Sequence, residues 1–217
     1  MGKLVIEKLL NGSLYEYTYF VHEENEKVGF CVDPGYDVKK IMDWITKNNF
    51  LVKDVLLTHG HFDHVLTCPE LEKKFNPTIY LSKEDEEILY DPYKSFSILI
   101  NKTTFDKFKI TKYVKDNEII EVLSHKAKCI STPGHTKGGM CYYFEDQGIM
   151  FTGDTLFKES YGRTDLYGGS DENMYNSVVN KLFKYKDDTI VYPGHGDSTT
   201  IGYEKENNDL VRGGYEF

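Results

Sequence analysis

A short apolar run, Val55 to Leu57, passes through Thr58 straight into His59, Gly60, His61, Phe62, Asp63 and His64. Four side chains able to bind a metal, so close together, restrict the fold more than any other feature, because such donors need a rigid frame behind them. The spacing predicts a loop that directs two pairs of donors at two neighbouring points; a regular helix would scatter them. A histidine in an ordinary core is a singleton with one hydrogen bond. A dense cluster with an interleaved carboxylate is better explained by metal.

Three further candidates each close a strand-like run. His135 stands in TPGHT after Cys129 to Thr132, Asp154 in TGDTLF after Ile149 to Thr152, and His195 in YPGHG after Thr189 to Tyr192. Each is introduced by glycine or proline, and a glycine beside a ligand lets the backbone turn sharply and approach an ion. Repeated junctions of this kind predict loops converging on one edge of a sheet. Asp33, at the end of a Val28 to Asp33 strand, reads equally as a residue that orients ligands from behind or as a turn former in Asp-Pro-Gly. His22, in a charged turn, and His125, in a Ser-His-Lys loop, are expected to be solvated surface histidines.

Strand-like and helix-like periodicities alternate along the chain, which predicts an α/β architecture. Leu14 to Phe20 and Val28 to Asp33 read as a hairpin. Asp37 can cap a helix with Val38, Ile41, Met42 and Ile45 on one face. A helix around Glu70 to Phe75, a strand at Thr78 to Leu81 and a capping box at Ser82 and Asp85 follow. Strands are expected at Ile119 to Val122 and Met140 to Phe144. Ser170 or Asp171 caps a helix presenting Met174, Val178 and Leu182. Asp91 to Lys112 has no sustained period and reads as a long loop, with a lid-like insertion as the alternative.

The 217 residues suffice for one large domain spanning 1–217. A formal net charge of −9, with lysines interleaved among acids, argues against phosphate-mediated binding of nucleic acid. No apolar run approaches the roughly 20 residues of a membrane helix, and the N-terminus carries no cleavage-site pattern, so a cytoplasmic location is expected. Cys31, Cys68, Cys129 and Cys141 are never paired as CxxC and read as buried or free thiols.

Taken together, THGHFDH, TPGHT, TGDTLF and YPGHG resemble the metallo-β-lactamase superfamily at every ligand position across nearly the whole chain. The resemblance implies a four-layer αβ/βα sandwich of two mixed sheets. It also implies that His59, His61 and His135 hold one metal, that Asp63, His64 and His195 hold a second, and that Asp154 bridges both. Two cations about 3.5 to 4 Å apart acidify a shared water so that hydroxide exists near neutral pH, the chemistry of a hydrolase. Asp63 could orient that nucleophile as well as bind metal. Zinc is the first expectation, with iron or manganese as alternatives, since imidazoles and carboxylates suit all three.

Within the superfamily, TPGHT, TGDTLF, GRTDLYGG and GHGDSTTIGYEKENN resemble the short hydrolase-like members of the glyoxalase II branch. This implies cleavage of a small thioester. The cysteine that main-class β-lactamases carry at the Asp154 position is not here. Arg163 lies near the place of a lysine that contacts the glutathione part of the substrate, which makes it the substrate-binding candidate. The C-terminal helical domain that contacts glutathione in full-length glyoxalase II has no counterpart in a chain that continues only to Phe217, so the thiol need not be glutathione. A rival resemblance, carried by GRTD, is to persulfide dioxygenases, which use one iron on two histidines and the bridging aspartate. A non-catalytic metal-binding module would predict a damaged ligand position, and none is damaged. A small-molecule substrate is the expected partner.

Overall fold

The computed structural model of the chain describes residues 2–100 and 106–213. The amino-terminal part builds one sheet. Strands β1 (Leu4–Asn11) and β2 (Glu16–Glu23) pair antiparallel, and β3 (Val28–Val32) pairs antiparallel with β2. Helix α1 (Val38–Lys47) then carries the chain back so that β4 (Leu51–Leu56) lies parallel to β3. After the short α2 (Phe62–Val65) and α3 (Cys68–Phe75), strands β5 (Thr78–Ser82) and β6 (Lys112–Val114) extend the parallel portion.

The second sheet comes from the rest of the chain. It begins with the meander β7 (Ile119–Val122), β8 (His125–Ser131), β9 (Met140–Phe144) and β10 (Ile149–Gly153). A two-strand ribbon, β11 (Leu156–Phe157) and β12 (Ser160–Tyr161), precedes helix α4 (Asp171–Val178). Strand β13 (Ile190–Pro193) then returns parallel to β10, and β14 (Thr199–Thr200) forms the edge before α5 (Ile201–Asn207) and α6 (Asp209–Arg212). The orders are β1-β2-β3-β4-β5-β6 and β14-β13-β10-β9-β8-β7, both mixed, as the resemblance implied.

Period-two alternation makes the layers. On β2, Tyr19 and Val21 point between the sheets and meet Phe30, Phe144 and Phe151, whereas Phe20 points the other way. Phe20 stacks on Trp44 of α1 with ring centroids 3.9 Å apart, so α1 is clamped to the outer face of the first sheet. Met174 and Val178 of α4, with Ile201 of α5, cover the outer face of the second. Fully burying each such side chain contributes about 1.5–3 kcal/mol, which fixes the frame from which the loops project. Asp37 and Ser170 cap α1 and α4 through the backbone N–H groups of Lys40 and Asn173.

Several expectations need correction. His22 and His125 are buried, not solvated. Strand β2 runs on to Glu23 and places His22 in the ladder opposite Val5, with its Nδ1 2.8 Å from the Glu23 carbonyl. His125 opens β8, with Nδ1 2.6 Å from Asp146 Oδ2. Behind Ser82 stands a single 3-10 turn, Lys83–Asp85, in which Asp85 turns inward rather than closing a capping box. The loop reading of 91–112 holds for its described residues apart from a 3-10 turn at Ser97–Ile100 and the start of β6; residues 101–105 lie outside the described residues. All four cysteines are buried and free, and no helix among the described residues is long and apolar enough to cross a membrane.

Candidate metal centre

Five strands deliver the centre. The chain leaves β3 at Asp33, β4 just before His59, β8 before His135, β10 at Asp154 and β13 before His195. Their mutual directions bring all five carboxyl ends to one edge of the sandwich, where an α/β framework leaves a crevice. His59 and His61 lie in the irregular stretch after β4, as expected. Asp63 and His64, in contrast, sit on the single turn of α2, so that one helical turn aims two adjacent donors.

The seven predicted donors converge. Ring centroids of His59 and His61 are 4.7 Å apart, those of His61 and His135 4.6 Å, and His135 Nε2 lies 2.9 Å from His61 Nδ1. One group of donors, His59, His61 and His135, has ligand atoms all within 4.8 Å of one another; a second, Asp63, His64 and His195, does too. Asp154 stands between them. Its Oδ2 is 3.5 Å from His135 Nε2 and 3.5 Å from His195 Nε2, and its Oδ1 is 3.4 Å from His64 Nε2.

Four of the five donor histidines have one ring nitrogen held by a hydrogen bond, which selects the tautomer. His135 Nδ1 donates to the Arg163 carbonyl at 2.7 Å, and His195 Nδ1 to the Leu14 carbonyl at 3.1 Å. Asp33 organises two more ligands. Its Oδ1 accepts from the Thr58 backbone N–H and its Oδ2 from the Thr58 hydroxyl, while His64 Nδ1 lies 2.9 Å from the same Oδ2. Thr58 Oγ1 is 3.0 Å from His59 Nδ1. Asp33 also falls in a third close group with His59 and His64, and both its oxygens accept these bonds.

Nε2 of His59, His61 and His64 and Oδ1 of Asp154 are buried without a hydrogen-bond partner. Buried polar atoms are rarely left so. Unpaired atoms gathered in the two donor groups and on the aspartate between them fit cations. Electrostatics agree. Burial pushes His59 far down and His61 down to about 3, so both rings are neutral, the form that binds metal. Burial also acts to lower His64 and His195. The carboxylates of Asp154 and Asp63, with Asp33 beside His64, outweigh it and lift His64 to about 10 and His195 to about 12. Burial likewise works to raise Asp154, but His195 and His64 hold it well below the usual carboxylate range. The carboxylates thus demand positive charge at the points where the unpaired nitrogens face.

Close approach requires glycine at two junctions. A Cβ on Gly194 would lie 2.4 Å from Asp154 Oδ1 and 2.8 Å from His64 Cε1. Gly153 adopts φ +48°, and a Cβ there would meet Thr58 Oγ1 at 2.1 Å.

Sequence reasoning missed Asp85. This buried carboxylate accepts from Gly60 N at 3.0 Å, Thr136 Oγ1 at 2.8 Å and Gly138 N at 2.7 Å. It ties the His59–His61 loop of one sheet to the His135 loop of the other. Only its place near the end of β5 hinted at this. Also missed was the wall of the crevice, a cavity of about 430 Å³ lined by donors and by Leu14, Phe62, Phe96, Leu99 and Phe157. Arg163 reaches the mouth of that cavity, exposed, with its guanidinium paired in bidentate fashion to Asp165 at 2.6 and 2.7 Å.

Comparison with known proteins agrees with this geometry. The chain is 32% identical over 189 residues to a hydroxyacylglutathione hydrolase, GloC, of Haemophilus influenzae, covering 87% of this chain and 89% of that one. Among solved structures it is similar to the B3 metallo-beta-lactamase BLEG-1, with a TM-score of 0.89, 28% identity and coverage of 95% of this chain and 99% of the other. It is also similar to ETHE1 from Myxococcus xanthus, with a TM-score of 0.78, 25% identity and coverage of 96% and 85%. The sequence profile of the metallo-beta-lactamase superfamily matches residues 12–195, a span that runs from the β1–β2 turn to the last predicted donor. The chain therefore belongs to the metallo-beta-lactamase superfamily, a superfamily of metal-dependent hydrolases that bind divalent metal ions.

Proposed function

We propose that the chain hydrolyses a small thioester, in the manner of glyoxalase II, at a centre of two divalent cations. The observation that carries the reading is the intact pair of donor groups with Asp154 between them, opening into a cavity with Arg163 at its mouth. His59, His61 and His135 would hold one cation, Asp63, His64 and His195 the other, with Asp154 shared. Zinc is the proposed metal, with iron or manganese as alternatives that the same donors accept. When bound, divalent cations acidify water and polarise a carbonyl oxygen.

The protein's own groups supply the rest. Asp63 lies 3.6 Å from His195 Nε2 and lines the cavity, so its carboxylate can orient the attacking water and accept its proton. Attack forms a C–O bond at the thioester carbonyl and breaks the C–S bond, leaving a carboxylic acid and a thiol that takes a proton. Arg163, braced by Asp165, can meet an anionic group on the substrate at the cavity mouth. The likeness to GloC supports a thioester. Four free cysteines support a cytoplasmic setting.

The rival, a mono-iron persulfide dioxygenase, could use the same donors; TGDTLF and the TTIG stretch, which resemble the hydrolase members, favour the hydrolase. The deciding experiment loads the protein with zinc, iron or manganese and assays acyl thioesters of several thiols, a β-lactam, and oxygen uptake with glutathione persulfide. Thioester cleavage that disappears in His59→Ala is the expected outcome. Persulfide-dependent oxygen consumption without hydrolysis would overturn it.

A further inference from the structure

The cavity wall carries information about the substrate that the ligands do not. Away from the metal-binding side chains, its lining is dominated by Leu14, Phe62, Phe96, Leu99, Phe157 and Leu166. The polar remainder lies together on β12 and just beyond it, at Ser160, Tyr161 and Arg163. Apolar rings stand directly against the ligands. Phe96 meets His61 edge to face at 5.3 Å, and Phe157 meets His195 in the same way at 5.9 Å.

Phe96 is held there deliberately. Its backbone has φ 64°, the left-handed region in which a bulky side chain is an outlier. Such backbone persists only where the surroundings over-determine it, and it clusters at functional sites. The surroundings are explicit. The buried Ser95 donates twice to the Asp91 carbonyl, through its amide at 2.8 Å and its hydroxyl at 2.7 Å. Its own carbonyl accepts from Phe62 N at 3.0 Å, which pins the segment to the ligand loop. Asp91 Oδ1 in turn accepts from the amides of Tyr93 and Lys94. Leu99 N donates to the Phe96 carbonyl at 3.0 Å, so the following 3-10 turn is fixed to the same point, and Leu99 stands 66% exposed at the rim.

We infer that this segment is the acyl-specificity wall of the site, with Phe96 and Leu99 its specificity-determining residues, and that the substrate is a thioester of an apolar acyl group. The inference rests on the hydrolase reading above and narrows it. A hydroxylated acyl group would leave its hydroxyl against aromatic and aliphatic carbon, losing hydrogen bonds to water without replacement. An alkyl or aryl chain would instead exchange water for that wall. The thiol half then lies toward Ser160, Tyr161 and Arg163.

The test uses metal-loaded protein and thioesters of one neutral thiol, N-acetylcysteamine, so that only the acyl part varies. From acetyl through butyryl to hexanoyl, kcat/KM is expected to rise about fourfold per methylene. A 2-hydroxyacyl thioester should be a poorer substrate than its unhydroxylated counterpart. In Phe96→Gly, which removes the ring and suits the left-handed backbone, the hexanoyl-to-acetyl ratio of kcat/KM should fall about tenfold. Leu99→Asn, at an exposed position that the fold tolerates, should lower the same ratio. A flat series, a preference for the hydroxyacyl compound, or an unchanged ratio in both variants would overturn the inference while leaving thioester hydrolysis standing. No cleavage of any thioester would instead remove the hydrolase reading, and this inference with it.

Discussion

Glu16 carries the hardest demand placed on any one side chain. It is fully buried behind the centre, its Oε2 accepts from Asn11 Nδ2 at 3.3 Å, and its Oε1 has no hydrogen-bond partner. Burial pushes its carboxyl well above the usual range; His64 pulls it down, and Asp33 and Asp63 push it up again. An acid raised in the folded state binds more protons folded than unfolded above its unfolded value of about 4.3, so its contribution to stability falls as pH rises through and beyond that value. Glutamine keeps the acceptor for Asn11 and has no charge to bury. Glu16→Gln is therefore expected to match the metal-free parent at pH 4 and to melt about 2–4 °C higher at pH 8, a gain of about 1 kcal/mol. Thermal melts across that range check it, and a lower melting temperature for the variant at pH 8 would contradict the assignment. Nothing in the sequence marks Glu16, which sits in a strand among tyrosines. Tyr17 N bonds the Gly194 carbonyl, and Glu16 itself forms a β-bridge with His195, so β2 lies against the His195 loop.

At the scale of elements, the two ligand loops belong to different sheets, and Asp85 is the tie between them. Removing it leaves three buried donors, on Gly60, Thr136 and Gly138, without an acceptor. Asp85→Ala should cost about 3 kcal/mol or more, read as a lower urea midpoint. It should also weaken zinc binding about 10–100-fold, read by competition with a chromophoric chelator, because groups that hold ligand loops in place tune metal affinity. Lost stability with unchanged zinc affinity would reduce Asp85 to a structural tie.

This pairing shows what a sequence can and cannot disclose. Ile119 to Val122 and Met140 to Phe144 were legible to the residue, since their alternation or continuous apolar run is bounded by turns. The convergence of the seven side chains was legible as well, from the dense THGHFDH run and from the glycine or proline that precedes His135, Asp154 and His195. Asp85 was not, because three residues after a serine it looks like half of a cap. The helical turn under Asp63 and His64 was hidden by its length of four residues, too short for any period. His125 was misread because its neighbours are polar, although its burial depends on Asp146 from the next hairpin. Phe96 escaped notice because its conformation is set by bonds from Asp91 and Phe62, and the local sequence has no glycine to announce it.

The molecule as a whole is a frame that forces carboxylates together and then requires cations to hold them. Two sheets close on an aromatic core and point five strand ends at one crevice, so the buried Asp63 and the half-buried Asp154 both face His64 and His195 whatever occupies the space. In the metal-free protein the compensation comes from protons. Burial opposes them, but the carboxylates lift His64 to about 10 and His195 to about 12, so both rings are protonated at pH 7. A histidine must give up its proton to bind metal, so loading the second group releases up to two protons. The sign follows directly. Below about pH 10 apparent affinity should rise with pH, by up to about a hundredfold per unit, and the protein should hold metal less tightly as pH falls from 8 to 6. Because the donors converge only in the folded chain, binding also stabilises it, by about 2.7 kcal/mol at a free metal concentration one hundred times Kd. Calorimetric titration of zinc at pH 7 in two buffers of different ionisation enthalpy measures the protons released, and melting curves with and without zinc measure the linkage. Binding without proton release would mean that His64 and His195 are already neutral, and that the positive charge the carboxylates require comes from elsewhere in the fold.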